Sequence, residues 1–522
     1  MSYRTIAIGL TLLVLIATVW YCCIYAEPLK ISPETTYITA PLMSDGKRID
    51  YFRAIEERLY PPEMKTDDNG YRMLVRTIGD PTKYFSSDFD REKGTMVRHD
   101  HNPEPYRLQV YEKLGLDPMV PPTIKIESDA GLDLLGKAVR KPIFYAPNVR
   151  ENFARFGGSD GKLNVFRDFA RAIQARAQDR IKTGNIDGVI DDTITCYLLA
   201  RHVGKHRTRV DYLVGLAIES MAASIPIGGN PSAPPSRVQL QRQFDAIRAL
   251  PPSQKIEDCL EAERLLALRV LQEYPFGAKP DFYWGPEYGP WCADVDWNAI
   301  TQEINGAFES IITGKEVAET VMQRWTEGVL SEEERRTPEL PVRATAQERT
   351  KLALVVLGSR LLSDFSTDRK VGNRRQCAEN MKLLTLALLL YEKEYGKLPD
   401  GDWRVAVKPY LGENADTYFR CPSCSIAEDE TTYAMIHHKS SEVPTTPYML
   451  LLIEVSSPMK MTGNEGTIPA SMVQFNQAGR LGSNHPGGCN VSYRNGAVAF
   501  ITESMNTTKL QSLVDGTSDT PW

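Results

Sequence analysis

Ser483-Asn484-His485-Pro486-Gly487-Gly488-Cys489-Asn490-Val491-Ser492-Tyr493-Arg494-Asn495-Gly496-Ala497-Val498-Ala499-Phe500-Ile501 is the stretch that decides how the C-terminal part of the chain is read. Two strand-like runs, Cys489 to Tyr493 and Ala497 to Ile501, flank Arg494-Asn495-Gly496. Asn-Gly tolerates the positive φ angles of a tight turn, so the stretch predicts a β-hairpin. Further strand-like runs lie upstream at Thr432 to Ile436, Tyr448 to Val455 and Ser471 to Asn476. Before them, Cys377, Met381, Leu384, Leu388, Tyr391 and Tyr395 recur in steps of three and four. That spacing gives a helix one apolar face, suited to cover a sheet. Gly396 caps this helix and Pro399 prevents its resumption. A long helix followed by antiparallel strands is an α+β layer.

Between residues 46 and 330 helical periodicity dominates. Asp50 to Tyr60 and Tyr71 to Ile78 predict short helices. Phe166, Phe169, Ile173, Ala177 and Ile181 mark a longer one, stopped by Thr183-Gly184-Asn185. Ile190, Ile194, Tyr197 and Leu198 mark the next, and Val210, Leu213, Ala217 and Met221 a third. Helix, short glycine turn, helix is the outline of an α-hairpin or a tetratricopeptide-like pair, but no repeat at a fixed period is visible. Ile225 to Ser236 predicts a long loop, and Ser253 to Glu273 another helix. Ser331 to Arg343, with four acids and two prolines, suggests a boundary. The expected organisation is therefore a spacer at 27–45, a mainly α-helical domain at 46–330, a linker at 331–345 and an α+β domain at 346–522.

At the N-terminus, Ile6 to Ala26 is an uncharged, mostly apolar run. It would reach about 30 Å as a helix, enough to cross a bilayer core. With Arg4 before it and Glu27 after, it predicts a single-pass transmembrane anchor, residues 1–26, with the N-terminus cytoplasmic. The competing reading is a signal peptide ending at Ala26. The expected location is a bacterial inner membrane with the bulk of the chain exported. Of nine cysteines two lie in this run, leaving an odd seven for a compartment where disulfides persist. The 522 residues carry a formal net charge of -6 and no long basic run, which argues against nucleic-acid binding.

Two further features bear on family. Cys377 to Pro399, reading CAENMKLLTLALLLYEKEYGKLP, resembles the helix-to-loop segment of pseudopilins. His485, nine intervening residues and Asn495-Gly496 resemble the motif of the bacterial prepilin-type family named for His, nine residues, then Asp-Gly, with Asn in place of Asp. Arg420-Cys421-Pro422 followed by Thr432-Tyr433-Ala434 is similar to that family too. The resemblance covers about Arg374 to Ile501 and implies a pilin-like α+β domain with a long helix packed on an antiparallel sheet. It also implies envelope or secretion-system proteins as partners.

Candidate chemistry centres on Cys421-Pro422-Ser423-Cys424, a Cys-x-x-Cys pair. Zinc would need two further ligands, for which His437, His438, His485 and Cys489 are near in sequence. The candidate metal ligands are Cys421, Cys424, His485 and Cys489; a structural disulfide and thiol exchange are the alternatives. His485 before Pro486-Gly487-Gly488 also fits a loop residue that fixes the start of the hairpin. His99-Asp100-His101 reads as a polar loop, and the aromatic segment from Tyr274 to Trp291 as a long loop pinned to the domain beneath it. Phosphate-binding loops, dinucleotide glycine patterns and the common hydrolase motifs are missing from the sequence. The expected role is a membrane-anchored scaffold or binding protein with a pilin-like module. A zinc- or thiol-dependent enzyme and a true pseudopilin subunit are the alternatives.

Overall fold

The computed structural model describes residues 29–59, 62–79, 87–90, 95–98, 110–117, 128–147, 162–205, 208–273, 295–327, 345–424, 430–437, 446–460, 467–470, 473, 482 and 485–518. Local stop and start signals set most of the helices. Gly184, at a φ of 76°, ends one, and the Asn185 side chain caps the next by accepting from the Gly188 N–H. Thr208 with Asp211 and Ser236 with Gln239 form capping boxes that open two more. The described helices are α1 (Tyr51–Leu59), α2 (Gly70–Ile78), α3 (Asp129–Ala138), α4 (Lys162–Lys182), α5 (Ile186–Gly204), α6 (Arg209–Ser224), α7 (Arg237–Arg248), α8 (Leu260–Glu273), α9 (Trp297–Ile312), α10 (Ala318–Thr326), α11 (Ala346–Tyr395), α12 (Trp403–Leu411) and α13 (Thr507–Val514), with a few shorter helical turns between them.

Helix α11 organises the molecule. Its 50 residues run from a Thr345–Glu348 capping box to Gly396, a left-handed cap at φ 75°. At 1.5 Å per residue it is about 75 Å long. Its first half, with Ala353, Leu357, Leu362 and Phe365, shares a core with α1, α8, α9 and α10. Its second half, Cys377 to Leu390, belongs to another core built with α2 to α7. The sequence stripe begins only at Cys377, because 366–376 is polar and its partners lie far away in sequence. Asp368 meets Arg209, Arg369 meets Glu257, and Gly372 allows the Tyr212 hydroxyl to approach where a Cβ would collide.

Four ionic side chains in this polar stretch and beside it are sealed together. Arg201 of α5 pairs with Glu219 of α6 and, at 2.8 Å, with Glu379 of α11. Arg375 reaches Glu219 at 2.9 Å and Glu379 at 3.6 Å, and Ser253 Oγ donates to Glu219 at 2.9 Å. The side chains of Arg201, Glu219 and Arg375 are 2–3% exposed. Two cations and two anions leave the group neutral, which is what makes such burial tolerable.

The strands form a two-stranded antiparallel ribbon, β1 (Ser87–Asp90) with β2 (Thr95–Arg98), and one five-stranded sheet. The latter comprises β3 (Glu430–His437), β4 (Leu450–Lys460), β5 (Thr467–Pro469), β6 (Gly488–Tyr493) and β7 (Val498–Thr502), in the order β5-β3-β4-β6-β7. The expected antiparallel sheet is corrected to a mixed one, since the three-residue β5 pairs parallel to β3. The expected strand at 471–476 lies outside the described residues save for Val473, which is not in a strand. One sheet face, with Tyr433, Met435 and Leu452, joins the core beneath α11; the other, with Ala434, Ile436, Ile453, Cys489 and Val491, packs with α13. Strand alternation thus divides neighbouring residues between two cores.

The hairpin closes with a three-residue loop. Tyr493 N–H donates to Ala497 O at 2.9 Å and Gly496 N–H to Tyr493 O at 2.9 Å. Among its residues Gly496 alone takes a positive φ, 84°. The Asn495 carbonyl accepts from Ile227 and Gly228, so this turn docks on the loop after α6. Lys382 of α11, buried, donates to the carbonyls of Ala223, Ile225 and Gly496 at 3.2, 2.8 and 2.6 Å and ties the three segments together.

The transmembrane reading is corrected. No helix among the described residues is long and apolar enough to cross a membrane. Even α11 is interrupted by charged residues along its length. The run from Ile6 to Ala26 that suggested an anchor lies outside the described residues. The single-pass architecture, the inner-membrane location and the exported orientation rested on that run and are withdrawn with it. Nor does any of the six described cysteines form a disulfide.

Candidate metal centre

Four segments deliver four side chains to one buried point. Cys377 comes from α11, Cys421 from the loop after α12, Glu454 from β4 and His485 from the turn before β6. Each is fixed locally. Thr432 Oγ1 accepts from the Cys421 N–H at 2.9 Å, Thr431 Oγ1 donates to Phe419 O at 2.8 Å, and Asn380 Nδ2 donates to Arg420 O at 3.2 Å. Those bonds staple the Cys421 loop between β3 and α11. Gly488, just after the His485 turn, has no room for a side chain because a Cβ there would collide with the Ile501 carbonyl across the hairpin. β6 and β7 therefore pair up to the turn, which brings His485 over β4.

Their donor atoms converge. Cys421 Sγ lies 3.3 Å from His485 Nε2, His485 Nε2 lies 3.2 Å from Glu454 Oε1, and Cys377 Sγ lies 3.1 Å from the same oxygen. One donor atom from each residue falls within 4.8 Å of the others. All four residues are at most 2% exposed. A second layer holds them: the Tyr433 hydroxyl donates to Cys377 Sγ at 3.1 Å, and Glu454 Oε2 accepts from Asn490 N–H at 3.1 Å and Nδ2 at 3.3 Å. Outer partners of this kind orient the ligands of a metal.

The electrostatics prepare one thiol for ligation. The neighbouring Cys377 thiol, then His485, pull Cys421 down to about 6 against its burial. Burial opposes the charged form of His485, but its bonds to Cys421 and Glu454 outweigh this and raise it to about 9. Cys377 is pushed up, by burial first and then by Cys421 and Glu454. These shifts favour the Cys421 thiolate beside a protonated His485, and metal binding there would release the His485 proton.

Of the four candidate ligands read from the sequence, Cys421 and His485 meet here. Cys424 is half-buried against the core outside this group, its N–H donating to Cys421 O at 3.0 Å. Cys489 lies in the core on the other sheet face, where burial pushes its thiol well up. His437 is exposed at the end of β3. His438, His99-Asp100-His101 and Tyr274 to Trp291 lie outside the described residues.

No protein-family model matches the chain, and no curated protein or solved structure matches it significantly. The site must therefore be understood from its own chemistry. Cys377 and Glu454 escaped the sequence reading. Cys377 passed as one more apolar position in a helix stripe. Glu454 had a visible signal, a lone acid within Leu450-Leu451-Leu452-Ile453-Glu454-Val455. A carboxylate in a run apolar enough to be buried on both faces needs a partner.

Proposed function

We propose that Cys377, Cys421, Glu454 and His485 hold a zinc ion that is structural, and that the chain is a scaffold or binding protein rather than an enzyme at this centre. The observation that carries the proposal is the convergence of Cys421 and Glu454 on the same imidazole nitrogen. A nucleophile–base–orienter relay would use the two ring nitrogens separately. A shared point of coordination brings every donor to one centre. Tetrahedral zinc with two sulfurs, one nitrogen and one oxygen has ligand–ligand edges of about 3.3–3.8 Å; the three contacts here are 3.1–3.3 Å. Two thiolates and imidazole suit zinc better than calcium or magnesium, which take oxygen ligands.

Four protein ligands leave no position for substrate, which is the pattern of a structural site. Bound zinc would join α11, the Cys421 loop, β4 and the start of the hairpin at one point. The prepilin-type resemblance spans these same four segments, and with it we propose a pilin-like module that engages envelope or secretion-system proteins. A second reading, thiol chemistry, is favoured by the lowered Cys421 thiol alone.

Metal analysis of the purified full chain tests the proposal. One zinc per chain is expected in the wild type and in Cys489→Ser, and less than about 0.2 in Cys377→Ser and Cys421→Ser, given that each removes one of four ligands. A wild-type chain that neither contains nor takes up zinc, with a Cys421 that reacts rapidly with a thiol reagent, would establish the second reading instead.

A further inference from the structure

Beside this centre, one turn earlier on α11, Arg374 is a cation without a carboxylate among the described residues. Its guanidinium lies over the Phe500 ring, 4.5 Å from the centroid. Its charge is disfavoured by burial, and no neighbouring anion offsets this. Arg375, the next residue, is engaged by Glu219 and Glu379. Arg374 and Phe500 line a cavity of about 350 Å³ whose wall includes Met221, Ala378 and Val498. A larger cavity, about 710 Å³, adjoins it, since Gln174 and Ser224 line both. Gln174 is held in place, its Nε2 donating to Met221 O at 3.0 Å and to Ser224 Oγ at 2.9 Å.

We infer that this cavity binds a carboxylate bearing an apolar group, with Arg374 as its counter-ion. The inference stands apart from the zinc proposal. One unpaired cation matches a monoanion; a phosphate dianion would call for a second cation, and Arg375 is already neutralised. A guanidinium presents a planar fork that suits a carboxylate bidentately. The Phe500 ring, 4.5 Å from the guanidinium carbon, holds this group at the wall of the cavity. The apolar wall then accommodates a hydrocarbon body. A free organic acid and the C-terminal carboxylate of a peptide share this chemistry, and the adjoining cavity gives a peptide's preceding residues somewhere to lie.

Calorimetric titration of the full chain separates the outcomes. Hexanoate is the small probe, with hexanamide as its neutral counterpart; an acetylated tetrapeptide ending in leucine, as free acid and as amide, is the long probe. At least one free acid should bind, with its amide at least tenfold weaker. Arg374→Gln should weaken that binding at least tenfold, and Phe500→Leu severalfold, with the thermal midpoint as the control for folding. Binding of hexanoate alone identifies a free acid as the source; a peptide acid at least tenfold tighter than hexanoate identifies a chain terminus. Absence of binding by both acids, equal binding of acids and amides, or an unchanged affinity in a folded Arg374→Gln chain overturns the inference.

Discussion

Replacing Glu219 with alanine is expected to lower the unfolding free energy by about 3–5 kcal/mol, the range for removing one partner of a buried ion pair. Glu219 is 2% exposed and lies between Arg201 and Arg375. Without it two guanidinium groups share Glu379 alone, and the sealed group carries a net positive charge. Arg201 and Arg375, each 3% exposed, keep that charge largely out of water. Glu219→Gln should lose somewhat less, since its carbonyl can still accept one hydrogen bond. Urea titration would read the effect as a lower midpoint at unchanged slope. A domain commonly holds only 5–15 kcal/mol in total, so the variant would sit near the limit of folding. A loss below about 1 kcal/mol would mean that the two arginines find other partners and that the tetrad contributes little.

Removal of zinc is the second large effect. Structural zinc contributes apparent free energies of about 10–16 kcal/mol in small zinc-binding peptides. This chain also has cores in which the four ligands play a minor part. Chelation should therefore loosen one region before it unfolds the whole. The Cys421 loop and the His485 turn reach α11 and β4 through side chains at this point, whereas α4, α5 and α6 are packed by Phe166, Phe169, Ile173, Val189, Leu199 and Ile218. Hydrogen exchange after chelation should show protection falling by at least about 100-fold in 419–424 and 488–493, the change expected when a ligand held at 100 times its Kd is withdrawn. Protection in α5 should change little. Uniform exchange before and after chelation would separate the centre from the stability of the sheet.

Much of this arrangement was legible in the residues themselves. Helix ends at Gly184 and Gly396 and the Asn495-Gly496 hairpin follow from backbone preferences that act over a few positions. The nine residues between His485 and Asn495 acquire a physical meaning: they span the turn and strand β6, placing His485 at the ligand cluster and Asn495 on the loop after α6. What escaped depends on partners distant in sequence. The polar stretch of α11 looks like a break until Arg209, Glu257 and Glu219 are placed beside it. Cys377 is indistinguishable from its apolar neighbours until Glu454 and Tyr433 face it. A three-residue strand such as β5 carries too little pattern to reveal that it runs parallel. Cys-x-x-Cys spacing drew Cys424 into the ligand set, yet the four donors that converge are those of Cys377, Cys421, Glu454 and His485, with Cys421 Sγ 3.3 Å from the histidine.

X-ray absorption at the zinc edge of the purified chain reads the ligand set itself. A first shell of two sulfurs at about 2.3 Å and two nitrogen or oxygen atoms at about 2.0–2.2 Å is expected. In Cys377→Ser chains the two-sulfur shell should be gone. A shell of nitrogen and oxygen alone in the wild type would place the metal elsewhere and rule out a centre at Cys377 and Cys421.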